Sequence, residues 1–218
     1  MDEKEVVTNT EAFVRKTLEG EGTGHDWWHI HRVRNTALEL AREEQADLFV
    51  VELAALLHDI ADWKFHGGDD KIAAKKTREW LESHGVNQET IAHVCDIVDN
   101  ISFKGAGVGN KINTTEGKIV QDADRLDALG AIGIARAFAY GGSKSRPLYD
   151  PEQQATMHQS FDEYKKGASS TVHHFYEKLL LLKDRMNTEA GKKRAATRHA
   201  FIERYLQQFH AEWDGQDN

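Results

Sequence analysis

Gln121-Asp122-Ala123-Asp124-Arg125-Leu126-Asp127-Ala128-Leu129-Gly130-Ala131 lies inside a longer stretch, Ile119 to Ala139, that is otherwise almost wholly apolar or small. Ala128, Leu129, Ala131, Ile132 and Ile134 predict a buried central helix over Thr115–Tyr140. Charges in such a helix are costly unless they are paired or bound to a cation. Asp124 and Asp127 share one face at i,i+3, and Asp122 and Arg125 share another. One arginine cannot neutralise three aspartates. A salt-bridge network therefore accounts for part of the set, and a cation near Asp124 accounts for the rest.

Outward from this segment the chain reads as helical almost throughout. Three- and four-residue spacing of apolar positions, in Leu179, Leu182 and Met186 and again in Phe201, Tyr205, Leu206 and Phe209, sets the period. The pattern predicts Glu5–Glu19, Asp26–Gln45, Asp47–Ala61, Asp69–His84, Gln88–Ser102, Thr115–Tyr140, Pro151–Lys166, Thr171–Met186 and Thr188–Trp213. Asp26, Asn87 with Thr90, and Asn187 with Thr188 stand where caps belong. No alternating β-branched run exceeds a few residues, so strands are not expected. The two prolines, Pro147 and Pro151, bracket one loop. Two segments interrupt the pattern: Lys104-Gly105-Ala106-Gly107-Val108-Gly109-Asn110, and the basic Gly141-Gly142-Ser143-Lys144-Ser145-Arg146-Pro147. Long loops of this kind in helical domains often serve as lids or binding elements.

Composition limits the function classes. At 218 residues the chain fits one domain with a substantial core. A net charge of −8 argues against a broad nucleic-acid-binding face while allowing a local cationic pocket. Apolar runs such as Leu53 to Leu57 and Leu179 to Leu182 are too short to span a bilayer. Met1 to Glu5 is acidic, with no apolar stretch of the signal-peptide kind. The single cysteine, Cys95, cannot form an intrachain disulfide and suits the reducing cytoplasm.

Two further stretches carry metal-ligand chemistry: Asp26-Trp27-Trp28-His29 and Leu57-His58-Asp59-Ile60. A His, then a His-Asp doublet, then a distant Asp supply two imidazoles and two carboxylates. That mixed N/O set suits Mn²⁺, Fe or Zn²⁺ and leaves coordination positions for water and substrate. His25 and His31 compete with His29, but His25 precedes the helix and His31 points about 160° of helical turn away. Trp27 and Trp28 are expected to wall a partly dry pocket. Most of the 12 histidines read as ordinary surface or core residues. His93 is the least settled of them, because His93, Asp96 and Asn100 form a helical stripe that could line the pocket or hold a second ion.

Together these motifs resemble the HD superfamily of metal-dependent phosphohydrolases, whose pattern is H…HD…D. Ala123-Asp124-Arg125-Leu126 is similar to the family's Ala-Asp-x-Leu form of the last ligand, which selects Asp124 over Asp122. Gly24-His25-Asp26-Trp27, Glu52 to Asp59 and Gln121 to Ala131 resemble bacterial single-domain HD hydrolases of the nucleotide-pyrophosphohydrolase type. Phe175-Tyr176-Glu177-Lys178-Leu179 adds to the likeness, which covers about Gly24 to Trp213. The resemblance implies an all-α, single-domain helical bundle over 1–218, with core motifs in 24–140, C-terminal helices in 151–213 and a metal site between central helices. It implies ligation by His29, His58, Asp59 and Asp124 of Mn²⁺, with Mg²⁺, Fe, Zn²⁺, Co²⁺ and Ni²⁺ as alternatives. The favoured reaction is cleavage of a nucleoside or deoxynucleoside triphosphate to monophosphate and pyrophosphate. Alternatives are a nucleotide monophosphatase, a cyclic-nucleotide phosphodiesterase, or a non-catalytic ligand-sensing HD domain. Asp62, on the turn after the doublet, is the candidate general base or water-orienter. Asp127 is placed to orient an imidazole or a water. Lys64, Lys104 and Arg136 are the candidate receivers of polyphosphate charge, followed by Lys144 and Arg146. The expected partner is a small-molecule nucleotide, without nucleic acid or membrane; the oligomeric state is left open.

Overall fold

Helices in this chain start on side chains that satisfy the N–H groups a first turn leaves open. Asp26 accepts from His29 N at 2.9 Å, Asp47 from Phe49 and Val50 N at 2.9 and 3.1 Å, and Asn87 from Thr90 N at 2.8 Å. The last helix is capped by Thr188, which accepts from Gly191 N at 3.0 Å. The computed structural model describes residues 2–20, 26–60, 71–101, 112–153 and 169–217. Among them are nine α-helices and no strand. The helices are α1 (Glu3–Thr17), α2 (Trp27–Glu44), α3 (Leu48–Leu57), α4 (Ile72–Ser83), α5 (Gln88–Asn100), α6 (Thr115–Asp127), α7 (Gly130–Ser143), α8 (Thr171–Glu177) and α9 (Glu189–Trp213). No helix among the described residues is long and apolar enough to cross a membrane. The helix predicted over Pro151–Lys166 lies outside the described residues beyond Gln153.

The described residues up to Asp124 form one compact unit, and those from Arg125 onward form a second. In the first, α3 is the most enclosed helix: from Val50 to Leu57 every residue but Glu52 is buried, and α1, α2 and α5 pack against it. A ten-residue helix with no polar face is stable only when enclosed in this way. The central position predicted for Thr115–Tyr140 therefore belongs to α3 in this unit, with α6 presenting buried Ile119, Val120 and Ala123. Glu116 at the start of α6 accepts from Asp47 N at 3.2 Å and lies 3.7 Å from His93 Nε2, which links the starts of α6 and α3 to α5. Phe13 of α1 stacks on Trp80 of α4 with centroids 3.9 Å apart, and Trp80 Nε1 donates to Thr10 at 2.9 Å.

Two predicted helices are broken, each for a local reason. Thr115–Tyr140 becomes α6 and α7, because Gly130 takes φ +71°, a left-handed conformation that favours glycine. Ahead of it, Leu129 is extended at φ −114°, ψ 159°. Past the break Ala131 and Ile132 are exposed, so the apolar run is not a continuous core face. Thr171–Met186 stops being α-helical at Lys178, at φ −139°, and continues as 3₁₀ turns over Leu179–Leu181 and Lys183–Arg185. Residues three apart eclipse in a 3₁₀ turn. That puts Leu179 and Leu182 both into the core of the second unit. In this unit α7 packs against α8 and α9.

Three groups tie stability to alkaline pH. Burial pushes the Cys95 thiol above its ordinary 9.0, with Arg78 opposing and Asp99 and Glu82 adding to the rise. Burial likewise raises the Tyr176 and Tyr205 phenols above 10.0, with smaller contributions from Tyr149 and Glu212 respectively. In each case the folded chain keeps a proton that the unfolded chain releases, so stability is full below the unfolded pKa and is lost as pH rises through the folded one. The urea midpoint should be level from pH 7 to 8 and fall progressively between about pH 9 and 11. A midpoint unchanged across that alkaline range would remove the linkage.

Candidate metal centre

His29, His58, Asp59 and Asp124 come from three elements, and local structure sets each of them. His29 is the third residue of α2, and its backbone N–H is the group that Asp26 caps, so the cap fixes the turn that presents the imidazole. His58 stands at the C-terminal end of α3, and Asp59 lies in the turn closed by Ile60 N donating to Leu57 O at 3.2 Å. The doublet thus follows the helix and does not lie along its flank, because α3 ends at Leu57 short of the predicted Ala61. Asp124 is one turn from the end of α6.

The ligand atoms converge. His29 Nε2 and His58 Nε2 are 3.3 Å apart. Asp59 Oδ2 lies 3.5 Å from His29 Nε2 and 3.7 Å from His58 Nε2, and Asp124 Oδ1 lies 3.5 and 4.0 Å from the same two atoms. Donors that sit about 2.1 Å from one divalent ion stand roughly 3.0–4.2 Å from each other. Among the described residues, His29, His58 and Asp59 form one group whose ligand atoms all lie within 4.8 Å of one another; Asp124 approaches the two histidines and is not a member of that group. The His58 Nδ1 atom is 2.8 Å from the Ala55 carbonyl oxygen. A carbonyl only accepts, so Nδ1 carries the ring proton and Nε2 turns a lone pair towards the other three groups. Both imidazoles are buried, whereas the Asp59 and Asp124 side chains are 28 % and 32 % exposed. Two rigid nitrogens at the base and two carboxylates at a solvent-facing rim suit a cation that must also meet a ligand from outside. The donor chemistry and the spacing of His29, His58 and Asp59 fit a divalent metal.

The other predicted residues divide clearly. Asp122, two positions and about 200° of turn from Asp124, is fully buried. Asp127 accepts from Arg136 Nη1 at 2.8 Å, so these two candidates form an ion pair with each other in the second unit. Asp62, Lys64, Lys104 and the Lys104–Asn110 loop lie outside the described residues, as does His25. Lys144 and Arg146 lie over the Tyr140 ring at 5.7 and 5.6 Å. Asn100 donates to Asp96 within α5, and His93 Nε2 lies 3.7 Å from Glu116, so the stripe read as lining the pocket or holding a second ion makes these contacts within α5 and to α6. Of the two tryptophans expected to wall a pocket, Trp27 is buried beneath the Arg15 guanidinium and Trp28 is 57 % exposed. Both line a cleft of about 550 Å³ between the end of α1 and the start of α2. What sequence reasoning missed is the Ala55 carbonyl, since the partner of a histidine ring nitrogen has no signature in residue type.

A buried pair of histidines, one at the start of α2 and one just past α3, rimmed by aspartates, gives this helical chain a candidate divalent-metal site. The chain matches the HD domain family over residues 27–129. It is 37 % identical, over its whole length and 98 % of the relative, to the uncharacterized protein YpgQ of Bacillus subtilis. The crystal structure of an HD-superfamily hydrolase from Bacillus thuringiensis is 43 % identical, covers 99 % of this chain and 100 % of that one, and superposes with a TM-score of 0.77. A Lactobacillus plantarum protein is 34 % identical with a TM-score of 0.85, covering 99 % and 100 %. YpgQ has also been crystallised in complex with ADP, and that structure has a TM-score of 0.78 at 35 % identity over the full length of both chains. This chain belongs to the HD superfamily and is a metal-dependent phosphohydrolase of that kind.

Proposed function

We propose that the chain hydrolyses nucleoside or deoxynucleoside triphosphates to the monophosphate and pyrophosphate, with His29, His58, Asp59 and Asp124 holding a divalent ion, Mn²⁺ by preference. The observation that carries this reading is the convergence of two imidazole nitrogens and two carboxylate oxygens within 4.0 Å of one another across the His–Asp and His–His pairs. The ADP complex of YpgQ supports a nucleotide as the ligand class. When bound, the ion supplies Lewis acidity to the phosphate and to water.

The residues of the chain divide the remaining work. The Ala55 carbonyl holds His58 in one tautomer, and the Asp26 cap holds the turn that carries His29. The exposed edges of Asp59 and Asp124 give phosphate a side from which to approach. Asp62 takes a proton from the attacking water as its oxygen bonds to the α-phosphorus. The oxygen bridging the α- and β-phosphorus atoms then departs with pyrophosphate. Lys64 and Lys104 offset the polyphosphate charge that a single divalent ion leaves uncompensated. The proposed setting is the cytoplasm and a single HD-type domain over 1–218.

A panel of nucleotides with Mn²⁺ tests the reaction. The expected result is release of monophosphate, with orthophosphate detected only after inorganic pyrophosphatase is added. Direct orthophosphate release from monophosphates, or opening of a cyclic nucleotide, would replace the reaction with another of the superfamily. Metal-loaded protein that binds nucleotides and turns over none of them would make the chain a ligand sensor.

A further inference from the structure

Arg34 is a half-buried cation on α2 that the catalytic proposal does not use. Its Nε and Nη2 both donate to Glu52 Oε1 of α3, at 2.8 and 2.6 Å, and its Nη1 donates to Glu11 Oε2 of α1 at 2.8 Å. The side chain is only 18 % exposed, and Glu52 is comparably sheltered at 19 %. Charge-assisted bonds of this length, made by a planar fork, hold direction as well as distance.

Their position on the helices matters more than their number. Arg34 follows His29 by five residues on α2, and Glu52 precedes His58 by six on α3. At 1.5 Å of rise per residue both lie about 8–9 Å along their helix from the two histidines. The two helices therefore run antiparallel and are pinned at two levels, by the Arg34–Glu52 bridge and by the His29–His58 contact at 3.3 Å. Sliding or rotating α2 against α3 would change the distance between the two Nε2 atoms. The bridge resists that movement without touching the site.

We infer that Arg34 is a positioning residue, which through Glu52 sets the separation of His29 and His58 and so the affinity of the metal centre. This rests on the ligand assignment proposed above. The Glu11 arm supplies an internal control: it ties Arg34 to α1, which carries no ligand. Loss of the Glu11 arm removes one charge-assisted bond and loss of the Glu52 arm removes two, but only loss of the Glu52 arm frees α2 from α3.

The test is Mn²⁺ binding by metal-free protein, followed by electron paramagnetic resonance without nucleotide, alongside thermal unfolding of the same samples. Arg34→Met and Glu52→Gln should weaken Mn²⁺ binding by about 10-fold, the lower end of the range for groups bonded directly to metal ligands, because the bridge acts one step further out. Glu11→Gln should lower the melting temperature and leave Mn²⁺ affinity close to wild type. The kcat of Glu52→Gln should recover at saturating Mn²⁺, because the ligands themselves are intact. Equal losses of affinity in Glu11→Gln and Glu52→Gln would overturn the inference, since affinity would then follow general stability. Unchanged affinity in Glu52→Gln would overturn it too. Wild-type protein that takes up no Mn²⁺ would sink the ligand assignment itself, and this inference with it.

Discussion

Asp124→Ala should lose its bound divalent metal while retaining its helical circular dichroism. Asp124 Oδ1 is 3.5 Å from His29 Nε2 and 4.0 Å from His58 Nε2, and its carboxylate forms part of the solvent-facing rim. Removing it takes away one of four ligands and half of the negative charge that offsets the ion. Groups that only orient a ligand are worth about 10- to 100-fold in affinity, so direct removal of a carboxylate should cost at least about 100-fold. Asp59→Ala should behave alike, for the same geometric reason. Asp122→Ala is the informative contrast. Its side chain is fully buried about 200° around the helix from Asp124, so the variant should be less stable and yet retain metal. Elemental analysis of the three purified variants decides: full occupancy in Asp59→Ala and Asp124→Ala, or loss confined to Asp122→Ala, would refute the ligand set.

Gly133→Ala should be the most damaging single-methyl change in the second unit. A Cβ built at Gly133, in the first turn of α7, would stand 2.2 Å from the Ala128 carbonyl oxygen and 2.3 Å from its carbon. Those atoms are backbone in the tight connection between α6 and α7, where Ala128 N and Leu129 N donate back to Arg125 and Leu126. No rotamer change relieves such a clash, so the turn itself must shift. Overpacking usually costs about 1–3 kcal/mol, and a backbone obstacle places this case at or above the upper end. Gly142→Ala gives the baseline, because nothing lies within 4 Å of its Cβ position. Urea denaturation should separate the two variants clearly, and equal midpoints would show that the α6–α7 turn is more pliable than its geometry implies.

Much of this protein is legible in its sequence alone. The 3.6-residue period, the scarcity of proline and the capping residues Asp26 and Asn87 place most helices within a few positions, because periodicity and capping are local properties of the chain. The class of the site was equally legible. A His, a His-Asp doublet and charges inside an apolar run report an energetic imbalance that composition makes visible. Resemblance to the HD pattern then singled out Asp124.

What residue type could not convey is where a helix stops and which partner a charge meets. The α6–α7 break depends on Gly130 adopting a positive φ with the Arg198 side chain 3.2 Å from its Cβ position, a contact made by a helix more than sixty residues away. The shift to 3₁₀ turns after Lys178 depends on the core that receives Leu179 and Leu182 together. Arg136, read as a polyphosphate receiver, and Asp127, read as an orienter of imidazole or water, turned out to face each other at 2.8 Å. Arg34 carried no signal at all, since its two glutamates are 23 and 18 residues distant. Local sequence determines helices and the chemistry they can offer. Only the packed chain decides which of those groups come within reach, because ion pairing and ligation depend on distances between elements that the sequence specifies solely through the whole core.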